Sequence, residues 1–449
     1  MFLITLLITL FFLSITFIKY KFSYWSRQNV PYIEPKFPYG NFKDSGRISI
    51  ADISSQQYNE MKSRGQFFGL FFFLQPMVMI TNLDLIKTIL VKDFNYFPDR
   101  GVYHNLRDDP LSGHLFSIEG NKWRSLRTRL TPTFTSGKMR MMFPTLKAVG
   151  DNFGEFLVSA VGGGIEMELK DVVQRFTTDV IGSCAFGIEC NTFVDANSQI
   201  RSVSRLIFDS PKHSGKKRLF LKLFPEVGNK LRIKQLNENA TEFFQKLVGD
   251  TIAYRVKNST DRNDFMSLLI ELMNKGDLTL DEAAAQSLIF FLAGLETSSS
   301  NQTFCLYELA LNQGYQQKAR ECILEAMEKH GGLTYEAVSD MQYLDQCINV
   351  YGIQRDDRYY PNPTVFNPDR FHPNAVAKRH LCAFLPFGEG PRICIGLRFG
   401  MLQSRVGLAT VLSRFRIKPC SRTTIPLEYS TKSTVLQSKG GLWLKVEPL

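Results

Sequence analysis

Phe387-Gly388-Glu389-Gly390-Pro391-Arg392-Ile393-Cys394-Ile395-Gly396 is the stretch on which the reading of this chain turns. It is a glycine-studded loop that ends on a cysteine and runs into an amphipathic helix over residues 397–415. A thiolate at a helix N-terminus is favoured by the macrodipole and by free backbone N–H donors. Gly388, Gly390 and Gly396 let the backbone bend tightly and admit a large, flat group at close range. Arg392, two residues before the sulfur, is placed to meet a carboxylate on whatever the sulfur binds. The combination suits an anionic sulfur ligand to a bulky iron cofactor such as haem. The plainer alternative is a structural cysteine buried in a glycine-rich turn.

Two distant stretches bear on that choice. Thr279-Leu280-Asp281-Glu282 is a capping box that starts a long helix, running to about Ala310. Ala293-Gly294-Leu295-Glu296-Thr297-Ser298 falls inside it, and a mid-helix glycine costs about 1 kcal/mol relative to alanine. Ala293, Gly294 and Thr297 share one face, so small residues would leave a dent beside a hydroxyl. A helix–helix contact at the glycine, with a solvated Glu296, is the alternative. Residues 122–129 form a basic helical pattern in which Trp123 and Arg127, four apart, share a face. There the alternative is a solvated basic helix anchored by one tryptophan.

Together these stretches resemble the cytochrome P450 monooxygenases, most closely the insect-type microsomal members, whose likeness extends through residues 130–140, which read as a Pro/Gly-marked connection, and 176–191, which read as a helix ended by Gly187. The signature Phe-x-x-Gly-x-Arg-x-Cys-x-Gly is filled at every position. The resemblance implies a mainly α fold with a small β part. It makes Cys394 the axial ligand of haem b and its iron. Arg392, Trp123 and Arg127 become partners of the haem propionates, and Phe387, Gly388 and Gly396 shape the loop. Ala293 and Gly294 would form the oxygen groove, with Thr297 orienting water or dioxygen and Glu296 relaying protons, both as positioned proton-delivery groups.

The same resemblance implies insertion of one oxygen atom from O2 into small apolar substrates, xenobiotics or endogenous lipids. No G-x-G-x-x-G fingerprint follows a strand, so electrons come from outside. An NADPH-dependent flavoprotein reductase, and cytochrome b5, are the expected donors. Lys122, Arg124 and Arg129, with Arg398 and Arg405, offer them a basic face.

The chain departs from the family at one point. The helix starting near Tyr343 should continue into Glu-x-x-Arg, followed by a few dozen residues of strand and loop. Here Asn349 runs directly into Val350, and the only Glu-x-x-Arg is Glu389–Arg392, inside the loop itself. Arg370, in Asn367-Pro368-Asp369-Arg370-Phe371, is the family's third member of a Glu-Arg-Arg cluster and is left without partners. A truncated isoform, a pseudogene product or a mis-joined gene model each account for this. A non-catalytic remnant that binds haem weakly or not at all is therefore the alternative function. A haem-thiolate isomerase or dehydratase is a third, disfavoured by the Glu296–Thr297 pair.

The remaining features bound the picture. The chain has 449 residues, 44% of them apolar and 37 of them phenylalanine, ample for a large core. A net charge of +11 without zinc-finger spacing or a compact basic block does not favour nucleic acid. Eight cysteines without close pairing suit a reducing compartment. Residues 1–18 are almost wholly apolar and read as a membrane anchor, with a cleaved signal peptide as runner-up. Lys19, Lys21 and Arg27 then place the following chain in the cytosol, which in this family means the outer face of the endoplasmic reticulum. Residues 19–40 read as a basic, Pro-rich, non-helical linker, and residues 41–449 as one haem-thiolate domain. Residues 66–74 and 77–80 read as a hairpin turning at Gln75-Pro76. Asn82 reads as the cap of a helix over 83–90, and residues 419–449 as short strands ending in a hairpin at Gly440-Gly441.

Overall fold

The structure is a computed structural model. It describes residues 2–208, 217, 219–258, 262, 264–347, 356–431, 433 and 435–449. The Asn349–Val350 junction lies outside the described residues.

The core is organised by one helix, Leu280–Leu311, called the central helix below. Its start is the capping box expected from sequence: Thr279 Oγ1 accepts from the Glu282 N–H, and Glu282 accepts from the Thr279 N–H at 2.9 Å. It passes through Gly294 without a break, because its neighbours hold it on most sides. Helix Leu169–Ile181 packs along it, as do Glu238–Lys257 and the helix that follows the cysteine loop, Leu397–Leu412. Helix Ser136–Val161 lies against that last helix. Phe153 stacks on Phe176 at 5.0 Å between centroids, and Phe244 packs on Phe291 at 5.5 Å. Such aromatic pairs supply much of the apolar burial that holds the helices together. Helix Leu169–Ile181 ends in a wide turn stopped by Gly187 in the left-handed region, as its glycine predicted.

The β part is small. Strands β1 (Phe67–Phe72) and β2 (Gln75–Ile80) form an antiparallel hairpin. Its turn falls at Phe73-Leu74, two residues earlier than the sequence suggested, and Phe73 takes φ +53. Pro76 thus lies within β2, tolerated because that strand is an edge of the two-stranded sheet. Asn82 caps the next helix as expected, accepting from the Leu85 N–H at 2.9 Å. Strands β3 (Ile165–Glu168), β4 (Phe415–Lys418) and β5 (Trp443–Pro448) form a second antiparallel sheet in the order β3-β5-β4. Gly440 and Gly441 turn the chain into β5 with φ +78 and +86.

Two boundaries move. Residues from Ser136 onward, expected as loop to Arg140, already belong to helix Ser136–Val161. The apolar N-terminal helix extends from Phe2 to Phe22, and a further turn covers Tyr24–Arg27. The start of the expected non-helical linker is therefore helical. The cause is Trp25, which is buried against β1 and donates Nε1–H to the Leu70 carbonyl at 2.9 Å. Gly69 leaves room for its ring: a Cβ there would come within 2.4 Å of it. Among the described residues, Phe2–Phe22 is the one helix long and apolar enough to cross a membrane, and none of it is buried.

Candidate haem-thiolate site

The cysteine loop closes on itself before its helix begins. The Cys394 N–H donates to the Phe387 carbonyl at 2.9 Å, and the Ile393 N–H to the Gly390 carbonyl at 3.0 Å. Gly388 and Gly390 hold φ +78 and +74. Gly390 is the demanding one, since a Cβ there would meet the Leu90 carbonyl oxygen at 2.0 Å. Phe387 is half-buried, with its ring beside Gly400 in the next helix. Gly396 caps that helix, faces the edge of the Phe134 ring, and gives its N–H to the Cys394 sulfur.

The sulfur does not ionise as the helix end alone would suggest. Burial pushes its pKa up, and the Gly396 N–H, Arg127 and Arg100 only partly oppose this. The free chain therefore carries a thiol near neutral pH, because desolvation outweighs the dipole. A coordinating metal would remove that proton outright. Cys394 is nonetheless solvent-exposed by surface area. Arg100 shows the same pairing: exposed, yet pulled down to about 10 by burial and by Arg392 and Arg127. Both observations hold together for groups that line a recess inside the protein, open on one side and crowded on the others.

Three arginines surround that recess. Arg392 donates Nε–H to the Pro98 carbonyl at 2.8 Å and Nη2–H to Asp99 and the Ile118 carbonyl, each at 3.2 Å. Its guanidinium stacks on Trp123, 3.9 Å from the ring centroid. Its Nη1 is buried without a partner. Arg127, on the same helix as Trp123 (Gly120–Leu130), is half-buried and has no ion pair among the described residues. Arg100 donates to the Arg392 carbonyl at 3.1 Å. Of the three, only Arg392 has an ion pair among the described residues, with Asp99, so the site carries an excess of positive charge suited to anionic groups. Trp123 and Arg392 thus meet as stacked partners of each other, a contact the sequence did not indicate. Arg100 was not singled out from sequence. Its signal is weak: one basic residue in the aromatic Phe94–Gly101 loop.

The central helix shows an exposed stripe within an otherwise buried run. Ala293 and Thr297 are exposed, Ile289 and Phe290 half-buried, while Phe291, Leu295 and Glu296 are buried. Thr297 donates to the Ala293 carbonyl at 2.6 Å, a back-bond to the preceding turn that holds its hydroxyl along that stripe. Phe134 links this helix to the cysteine loop, lying against Gly396 and 5.4 Å from the Phe290 centroid.

Two residues of the expected groove point elsewhere. A Cβ on Gly294 would meet Ile181 at 2.3 Å, so this glycine serves the helix–helix contact, and its carbonyl accepts from Gln403 at 3.2 Å. The dent belongs to Ala293 and Thr297. Glu296 is locked rather than solvated. Its carboxylate pairs with Lys170 at 2.7 Å and accepts from Gln437 at 2.7 Å and Gln174 at 2.8 Å. Lys170 also donates to Ser299 and Ser300, at 2.9 and 2.7 Å. Arg405 likewise leaves the expected basic face, forming a two-pronged pair with Asp345 at 2.6 Å.

One sulfur, three guanidinium groups and a hydroxyl-bearing helix stripe linked to them through Phe134 are what a haem-thiolate site would require. Comparison with known proteins agrees. The Cytochrome P450 family model matches residues 31–349 and 347–445. Cytochrome P450 6a2 of Drosophila melanogaster is 42% identical, over 95% of each chain. Probable cytochrome P450 6a20 of the same fly is 40% identical over 95% of each, and cytochrome P450 6A1 of Musca domestica 38% over 97% and 96%. The chain belongs to the cytochrome P450 family. It is a P450 monooxygenase by descent, a haem-iron protein whose electrons derive from NADPH through a reductase. The alignment with the first of these relatives runs over 482 positions, more than the 449 residues here, so at least 33 face a gap in this chain.

Proposed function

We propose that this chain is a membrane-anchored monooxygenase acting on small apolar compounds, with Cys394 as haem ligand. The observation that carries the proposal is the exposed Cys394 sulfur in a recess lined by Arg100, Arg127 and Arg392. The buried, unpartnered Arg392 Nη1 and the unpaired Arg127 call for carboxylates, which haem carries as propionates. Bound haem would supply the oxygen chemistry; the protein supplies ligand, charge complement and a shaped, dry pocket. Arg392, braced by Asp99, Pro98 and Trp123, orients one carboxylate, and Arg127 and Arg100 neutralise the rest. Ala293 leaves space on the central helix, and Thr297 holds its hydroxyl at that space to position a proton. Glu296 acts by pinning the helix through Lys170. The exposed Phe2–Phe22 helix anchors the chain in the endoplasmic reticulum membrane with Lys19 and Lys21 on the cytosolic side. The docking of reductase or cytochrome b5 falls to exposed Lys122 and Arg124.

We also propose that the chain lacks a segment at Asn349–Val350. The two stretches matched by the family model meet there, and the alignment gap supports the same reading. Arg370 favours the second function, an inactive remnant. Among the described residues its guanidinium bonds only carbonyl oxygens, those of Asn362 and Val365, and its Nε is buried without a partner. One experiment separates the two functions. The full chain is expressed in membranes, reduced and exposed to carbon monoxide. A strongly red-shifted Soret band, lost in Cys394→Ala, supports the monooxygenase. Absence of any haem absorbance establishes the remnant.

A further inference from the structure

Arg370 and Arg379 adjoin each other between the junction and the cysteine loop. Arg379 donates Nη2–H to the Arg370 carbonyl at 2.5 Å and covers Tyr360 and Phe371, 4.4 and 5.7 Å from their centroids. The two charges repel: burial first, then Arg379, lowers the Arg370 pKa. Each guanidinium has a shielded nitrogen without a hydrogen-bond partner, Nε in Arg370 and Nη1 in Arg379. The nearby Tyr343 hydroxyl is also buried and unpartnered. Among the described residues neither arginine has a carboxylate within ion-pair distance, although Asp369 is the neighbour of Arg370 in sequence. Two like charges held close together without a counter-ion are unfavourable when partly desolvated.

We infer that Arg370 and Arg379 bind a small oxyanion of the phosphate or sulfate class. Both residues are partly exposed, while Arg370 Nε and Arg379 Nη1 are themselves shielded, so an ion reaches them by displacing the groups that cover them. A tetrahedral oxyanion offers several acceptors to two planar forks, a match that a single chloride does not make. The site stands outside the haem recess, so it does not depend on haem being bound. Its effect would reach the cysteine loop, because Tyr360, under Arg379, donates to the Ala383 carbonyl at 2.9 Å, four residues before Phe387.

The test uses the full chain in detergent, titrated calorimetrically with inorganic phosphate and melted in phosphate or in chloride of equal ionic strength. Saturable heat near one equivalent, with a rise of a few °C in Tm, is expected. Arg379→Gln should abolish both. Arg379→Lys, which keeps the charge and loses the fork, should weaken binding at least several-fold. No saturable heat, or the same phosphate response in Arg379→Gln, overturns the inference and leaves only a general salt effect. The carbon monoxide spectrum is recorded separately, so loss of haem and loss of the anion site are distinguishable.

Discussion

Replacing Lys170 by methionine removes the cation from a buried carboxylate and keeps most of the packing volume. Glu296 is 1% exposed by side chain and Lys170 16%, with 2.7 Å between them. Breaking a buried pair by removing one partner costs about 3–5 kcal/mol, because the other charge stays buried. Gln174 and Gln437 still donate to the carboxylate, and Lys170 is not fully enclosed, so the lower end, about 3 kcal/mol, applies. At about 2 °C per kcal/mol for a large domain, the melting temperature should fall by roughly 6 °C. Ser299 and Ser300 lose a donor in the same substitution, which adds to the loss.

The double variant Lys170→Met/Glu296→Gln isolates the pair. Removing both charges leaves no uncompensated ion, so its cost should fall below the sum of the singles by about 1–3 kcal/mol. Thermal and urea unfolding, followed by helical circular dichroism, measure all four corners of the cycle. A Lys170→Met chain as stable as the parent, or strict additivity, would refute the reading of Glu296 as a pinned brace. It would restore Glu296 as a group free to carry protons.

Three further outcomes follow from other groups. Burial pulls the His114 pKa from 6.5 down to about 4. Between those values the unfolded chain binds more protons, so stability falls as pH drops through that window, by up to about 3 kcal/mol; His114→Phe should flatten the slope in urea titrations. Asp356 is buried and accepts from Tyr58 at 2.5 Å, Lys62 at 3.1 Å and Arg358 at 2.7 Å. These partners hold its carboxyl below the usual carboxylate range, so its stabilisation is present above about pH 4 and lost as pH falls further; Asp356→Asn should cost about 3 kcal/mol at neutral pH and remove that acid limb. Gly388 and Gly390 share a left-handed backbone but not their surroundings: nothing lies within 4 Å of a Cβ on Gly388. Gly388→Ala should cost about 1–2 kcal/mol, whereas Gly390→Ala must displace the Leu90 backbone and should lower haem retention, read as the Soret-to-protein absorbance ratio.

What was legible in the sequence was what short-range chemistry determines. The capping box at Thr279, the Asn82 cap and the left-handed stop at Gly187 each depend on residues within a few positions. The Cys394 loop belongs to the same kind, since its glycines and its Phe387–Cys394 closure are local. The contacts of the charged groups were not legible because their partners come from far along the chain. Glu296 meets Lys170 and Gln437, the latter 141 positions away, and nothing near Glu296 announces either. Gly294 was assigned to the dent because spacing alone cannot say which side of a helix a neighbour such as Ile181 occupies. Arg370 is the instructive exception. Sequence alone showed it without partners, through the missing Glu-x-x-Arg, and the structure leaves its Nε bare. On the proposed reading the loop and its arginines would hold haem, while Arg370 and Arg379 behind them have no carboxylate partner among the described residues. An oxyanion on that pair would restore a counter-charge behind the cysteine loop, felt there through Tyr360 and the Ala383 carbonyl.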